Sequence, residues 1–202
     1  NVSLDSLDPA VFRQLTRTGD VSRVLAGIDA AIDAGLTPVK VNCVVVGGVN
    51  DAGIEAMVEH FAARPGTQLR FIEFMPFLGN PGGGTHVPSR VLRERLLARW
   101  PGEPVARQGG GPSVDLRLSN GLVVGFISPI TEHFCQACNR LRLQADGSLR
   151  TCLSRDRAPG LRDLLRDGAD DAALALAIRA QVFGKVAGHE AHLDGDGRRA
   201  FE

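Results

Sequence analysis

The chain has 202 residues, 44% apolar and 23% charged, with 23 Lys and Arg balanced by 23 Asp and Glu. That is an ordinary globular composition, sufficient for one substantial core in one domain or two small ones, and a zero net charge excludes overall steering toward nucleic acid or an anionic membrane. No apolar run approaches the roughly 18 residues of a membrane span, and the start NVSLDSLD has neither the basic nor the apolar region of a secretory signal, so the expected location is the cytoplasm.

The alternating run NVSL reads as a strand met without its lead-in, the mark of a fragment. Residues 5–20 form a connection with a short helical turn, and Asp20 is placed to cap a helix whose Val21, Val24, Leu25, Ile28 and Ile32 share one face. Gly35 ends it. PVKVNCVVV, from Pro38, is a β-branched run suited to a strand buried on both faces. Ile54, Met57, Val58 and Phe61 give a second helix, and LRFIEF from Leu69 a third strand. Strand, helix, strand, helix, strand predicts parallel βαβ units, and three such strands cannot close a barrel, so they are expected to need neighbours that this chain does not contain.

Residues 76–88 hold four glycines without the lysine and hydroxyl of a phosphate loop and read as a flexible linker. Ser89 is placed to cap a helix running through Trp100, and a Gly- and Pro-rich break follows from Pro101 to Pro112. Asn120-Gly121 and Asp146-Gly147 each mark a hairpin between apolar alternating runs. Residues 161–166 and 171–183 read as helices, and the tail 190–202 as disordered.

Three of the four cysteines lie in FCQACNRLRLQADGSLRTCL. The C-x-x-C pair Cys135 and Cys138 presents two thiolates to one metal, and a tight two-residue hairpin, pairing Leu141 with Cys152, returns the third. Three thiolates without an evident fourth favour an open site, such as an iron–sulfur cube with one free iron. Zinc stays open as an alternative, with His133 completing a Cys3His set. In this register the alternating Arg140 and Arg142 face away from Cys152, and only a bulge would bring both sets together. Lys40 sits inside an apolar run, where a lysine either snorkels to the rim or meets an anion. Arg70 has the same ambiguity, and Glu73 is a candidate partner for either cation.

CNRLRLQADGSLRTCL with SPITEHF before it, and NVSLD, PVKVN and RFIEFMP in that order, resembles the GTP 3',8-cyclase family of radical S-adenosylmethionine enzymes, which begin molybdenum cofactor biosynthesis. The resemblance runs from Asn1 to about His189. It implies a partial TIM-like (β/α) radical barrel over residues 1–76, a linker and helix over 77–112, and an α+β region over 113–189 whose hairpins carry a second [4Fe-4S] cluster. It places Cys135, Cys138 and Cys152 on that cluster, Ser3 and Met75 on S-adenosylmethionine, and Lys40, Arg70, Arg140, Leu141 and Arg142 on GTP. The implied reaction converts GTP to (8S)-3',8-cyclo-7,8-dihydroguanosine 5'-triphosphate. It needs an electron donor and another [4Fe-4S] cluster, held in the family by a C-x-x-x-C-x-x-C motif absent from this sequence, so this chain alone is expected to be inactive. No nucleic-acid or membrane partner is implied, and a homodimer stays open. The chain ends GRRAFE where the family has a double glycine. Rival readings are a peptide-modifying maturase of the same superfamily and a zinc-ribbon module binding nucleic acid through Arg140, Arg142 and Arg150.

Overall fold

The computed structural model describes residues 1–75, 83–106, 111–135, 138, 140–152 and 160–185, and divides the chain into compact units of residues 1–134 and 135–202. In the first unit β1 (Val2–Ser3) leads into α1 (Pro9–Thr16), whose N-cap Asp8 accepts from the Ala10 and Val11 amides. The connection expected at 5–20 therefore contains a full helix. Asp20 caps α2 (Val21–Asp33) by accepting from the Ser22 amide at 2.9 Å, as its position before an apolar face dictates. β2 (Val39–Gly47), α3 (Ile54–Ala62) and β3 (Thr67–Glu73) follow.

β1, β2 and β3 pair in parallel, giving the mixed α/β arrangement of a partial radical-barrel fold. The neighbour that β3 requires comes from the same chain. β4 (Thr85–His86), α4 (Ser89–Arg99) and β5 (Gly102–Pro104) lead to the hairpin of β6 (Val114–Leu118) and β7 (Val123–Ile127), and β7 pairs in parallel with β3. The seven-stranded sheet has the order β1-β2-β3-β7-β6-β5, with β4 antiparallel to β2. The first hairpin thus extends the parallel sheet of the unit that runs to residue 134.

A Cβ on Gly84 would lie 2.3 Å from Val46 Cγ1 and 2.7 Å from the Gly47 carbonyl, so the chain packs closely against β2 there. Residues 76–82 and the tail 190–202 lie outside the described residues.

One sheet face is apolar and carries the core. Val41, Cys43 and Val45 of β2, Leu69 and Phe71 of β3, and Val124 and Phe126 of β7 pack with Ile28, Met57, Phe61, Leu92 and Leu96 of the helices, all essentially inaccessible. In the second unit β8 (Arg142–Leu143) and β9 (Leu149–Arg150) form a short hairpin, followed by α5 (Leu161–Arg166) and α6 (Asp171–Phe183). No helix among the described residues is long and apolar enough to cross a membrane.

Candidate functional site

Strand alternation puts the odd residues of β2 into the core, so Lys40 and Asn42 fall on the opposite face. The parallel register then lines up partners across strands: Ser3 with Asn42, Asn42 with Arg70, Arg70 with Gly125, and Gly125 with Asp115. Lys40 stands beside Gln68 in the adjoining row. Three residues singled out in the sequence, Ser3, Lys40 and Arg70, therefore share one polar face.

Gly125 makes room in that row. A Cβ there would lie 2.2 Å from Ser113 Oγ, 2.5 Å from an Asp115 carboxylate oxygen and 3.2 Å from Arg70 Cγ, so the neighbouring side chains close over the glycine. Gln68 Nε2 donates to Asp115 at 2.8 Å, and Ser113 Oγ donates to the other carboxylate oxygen. Arg70 Nε is buried without a hydrogen-bond partner among the described residues, and Lys40 makes no ion pair there. The two rows of this face together hold two cationic side chains, Arg70 and Lys40, that an anion would satisfy.

Glu73 does not pair with either cation. It lies on the core side, 1% exposed, and accepts from the amides of Ser89 (2.8 Å), Ile130 (2.9 Å) and Thr131 (3.0 Å) and from the Thr131 hydroxyl, with His86 Nε2 at 3.7 Å. Burial pushes its carboxyl up, but the bonds from Thr131, Ser89 and Ile130 together hold it below the ordinary glutamate range. Glu73 thereby ties the end of β3 to the start of α4 and to the SPIT strap. Met75 follows two residues after β3 ends, partly buried.

A second buried network closes the carboxyl end of β2. Asn50 Nδ2 donates to the carbonyls of Asp5 (2.7 Å) and Val44 (2.8 Å), while its Oδ1 accepts from the Val46 amide at 2.7 Å. The Asp5 carboxylate accepts from the Val44 amide, and burial raises its pKa. Cys43 is buried, its thiol pushed well up by desolvation and then by Asp5, so it is an inert core residue.

In the second unit Cys135, Cys138 and Cys152 are all of intermediate exposure. The Cys138 amide donates to the Cys135 carbonyl at 3.2 Å, the turn expected of a C-x-x-C pair. Burial pushes the Cys138 thiol up, but the Arg140 amide and guanidinium and the Lys185 ammonium outweigh it and bring the pKa to about 7. Lys185 was not marked by any motif. Its Nζ lies 3.2 Å from Cys138 Sγ. Among the described residues no group of three His, Cys, Asp or Glu is already placed around a metal position, so neither the three-thiolate set nor its variant with His133 is preassembled. The His133 ring nitrogen Nδ1 meets the Pro129 carbonyl at 3.1 Å.

The hairpin register corrects the pairing of Leu141 with Cys152. Arg142 pairs with Arg150 and Leu143 with Leu149. The Gln144 amide donates to the Ser148 carbonyl and the Gly147 amide to the Gln144 carbonyl, so the loop has three residues with Gly147 at φ 80°. This is the bulged alternative to the two-residue turn. The shift by one residue puts Arg142 and Arg150 on one face and the leucines on the other, and continued outward it sets Arg140 opposite Cys152. Gly147 is required twice, since a Cβ would also lie 2.4 Å from Arg162 Cβ.

With this geometry in place, comparison with known proteins is informative. The family described as Molybdenum Cofactor Synthesis C matches residues 67–191, more than half of the 202. The chain belongs to the Molybdenum Cofactor Synthesis C family. The Radical SAM superfamily matches residues 1–61. Relatives include a GTP 3',8-cyclase of Rhodopseudomonas palustris, 43% identical over 96% of this chain and 57% of its own length. The mitochondrial GTP 3',8-cyclase of Arabidopsis thaliana is 43% identical over 96% of this chain and 50% of its own length. That of Caulobacter vibrioides is 41% identical over 94% and 55%. The chain thus spans between half and three-fifths of these relatives. The Molybdenum Cofactor Synthesis C match contains Arg70, Met75 and every cysteine and arginine of the hairpin region, while Ser3 and Lys40 fall in the radical SAM match. Asn42, Gln68, Asp115 and Lys185 are the polar residues that sequence reasoning passed over. For Asn42 a signal existed, two residues after Lys40 on the same strand face.

Proposed function

We propose that this chain supplies the GTP-binding and second-cluster residues of a GTP 3',8-cyclase, the enzyme that its relatives are named for. The geometric observation that carries this reading is the polar sheet face, where Ser3, Asn42 and Arg70 run in register over Gly125 with Arg70 Nε unsatisfied. Ligand sites of parallel α/β sheets lie toward the carboxyl ends of the strands, which is where Met75 falls.

The donor chemistry of the second unit fits a thiolate-held cluster. Three partly exposed cysteines lie in one short region, and one, Cys138, is already drawn toward thiolate. Thiolate sites are seldom preformed without their metal, so loading itself would close the set Cys135, Cys138 and Cys152. S-adenosylmethionine and the iron–sulfur groups, when bound, supply one-electron chemistry at the ribose and an open iron for the purine.

The residues of this chain have the remaining tasks. In the first unit Lys40 brings a compact point charge and Arg70 a planar fork to phosphate oxygens, and in the second unit Arg142 offers a planar fork to an oxyanion. Ser3 and Met75 hold S-adenosylmethionine, and Leu141 packs at the nucleotide. Asp115 keeps Gln68 oriented beside Lys40, which fixes the rim of the anion site. The sequence has only Cys43 outside the hairpin region, buried and inert, so ligands for the other cluster are not among its residues.

Nucleotide binding to the anaerobically iron-loaded chain tests the reading. Calorimetry with GTP, ATP and inorganic triphosphate is expected to give GTP as the preferred ligand, with Lys40→Ala and Arg142→Ala each weakening it roughly tenfold or more, as loss of one charged hydrogen bond does. Equal binding of all three, or none, would overturn it.

A further inference from the structure

Lys185 lies just past α6, whose C-cap Gly184 donates to the Ala180 and Val182 carbonyls. Its ammonium makes three polar contacts to one short stretch 45 to 47 residues away: the Cys138 carbonyl at 2.8 Å, the Cys138 thiol at 3.2 Å and the Arg140 carbonyl at 3.2 Å. An ammonium has three N–H groups in a tetrahedral array, and here each has an acceptor. A guanidinium fork is planar and cannot direct three donors in that pattern. The chain has two lysines among 23 cationic residues, so a lysine at this place stands against a strong arginine bias.

We propose that Lys185 is a positioning residue for the iron–sulfur cluster of the second unit, clamping Cys138 and Arg140 to the end of α6. The proposal rests on the assignment of Cys138 to a cluster. Two consequences follow from the contacts. By holding both carbonyls, the ammonium fixes the backbone that aims the Cys138 sulfur and the Arg140 guanidinium. By donating to the sulfur, it lowers the negative charge there, and hydrogen bonds to cluster sulfurs raise the reduction potential. A cation serving only the helix terminus would interact with α6 carbonyls, whereas the acceptors here belong to the cysteine segment.

The test compares the wild-type chain with Lys185→Met and Lys185→Arg through three readouts. The first is amide exchange of residues 135–143 without iron, which Lys185→Met should accelerate while peptides of residues 39–73 stay unchanged. The second is iron retention against a chelator after anaerobic loading, expected to fall about 10- to 100-fold in Lys185→Met, the usual effect of removing an outer-sphere partner. The third is the midpoint potential, expected to move negative. Lys185→Arg should recover less than full retention. If the wild type loads iron and Lys185→Met matches it in exchange, retention and potential, the role of Lys185 is refuted while the cluster assignment stands. Full recovery by arginine would also refute the three-point clamp. A wild type that takes up no iron would overturn both.

Discussion

The two units reach order by different means. In the first, parallel strands bury Val41, Phe71, Val124 and Phe126 on one face, and internal carboxylates and amides are satisfied, Glu73 alone taking four hydrogen bonds. In the second, β8 and β9 are two residues each, and α5 and α6 bury no residue among those described. Leu176 and Phe183 of α6 are 69% and 85% exposed. Apart from the buried Leu149, the contacts that organise the described part of the second unit are largely polar: Asp146 to the Ser148 amide and hydroxyl, the Leu161 amide to the Gly147 carbonyl, and Lys185 to Cys138 and Arg140. Apolar burial dominates the first unit, while the described part of the second is organised largely by polar contacts, which fits the proposal that a bound group completes it.

The largest effect should come from breaking the first unit at Glu73. Glu73→Ala leaves buried amides of Ser89, Ile130 and Thr131 without their acceptor, and denaturant unfolding should show a loss of about 3–5 kcal/mol, the range for removing one partner of a buried charged network. Next is Gly125→Ala, expected to cost about 1–3 kcal/mol through overlap with Ser113, Asp115 and Arg70 and to disturb nucleotide binding at the same time. An equivalent loss at Gly125 with unchanged binding would separate the row from the ligand.

Acidification sharpens the contrast in a smaller way. The folded-state pKa of Glu73 is depressed, so its contribution is complete above the ordinary glutamate range and is lost as pH falls below about 4 through the folded value. Asp5, raised by burial, acts in the opposite sense, because protonation relieves its desolvation. Unfolding of wild type and Glu73→Gln from pH 7 to 3 should therefore converge at the acid end. The smallest effect belongs to the exposed Arg90–Glu94 pair on α4, where Arg90→Ala should cost no more than about 0.5 kcal/mol in the same unfolding assay.

Much of the first unit was legible in the sequence because its signals are local. Asp20 before an apolar face marks a cap, and VKVNCVVV marks a strand by its β-branched residues, although only its odd-numbered face is buried through Val45 and not both faces as expected. Pairing of β7 with β3 was not legible, since a parallel partner some 55 residues away leaves no local trace. Asn-Gly and Asp-Gly located both hairpins but not their loop lengths. Both Gly121 and Gly147 take positive φ in three-residue loops, and the change in register reverses which hairpin residues share a face. The contacts of Lys185 with Cys138 span 47 residues and follow no motif. Glu73 was read as a partner for cations because its strand neighbours suggested it, yet alternation had already placed it on the other face from Arg70.

Metal content and the visible spectrum of the anaerobically reconstituted chain, beside Cys152→Ala, test the central claim most directly. The account predicts a brown protein with about four irons, as one cubane requires, and a variant that loses most of that colour. A colourless protein holding one zinc, or a Cys152→Ala variant as brown as the wild type, would contradict it.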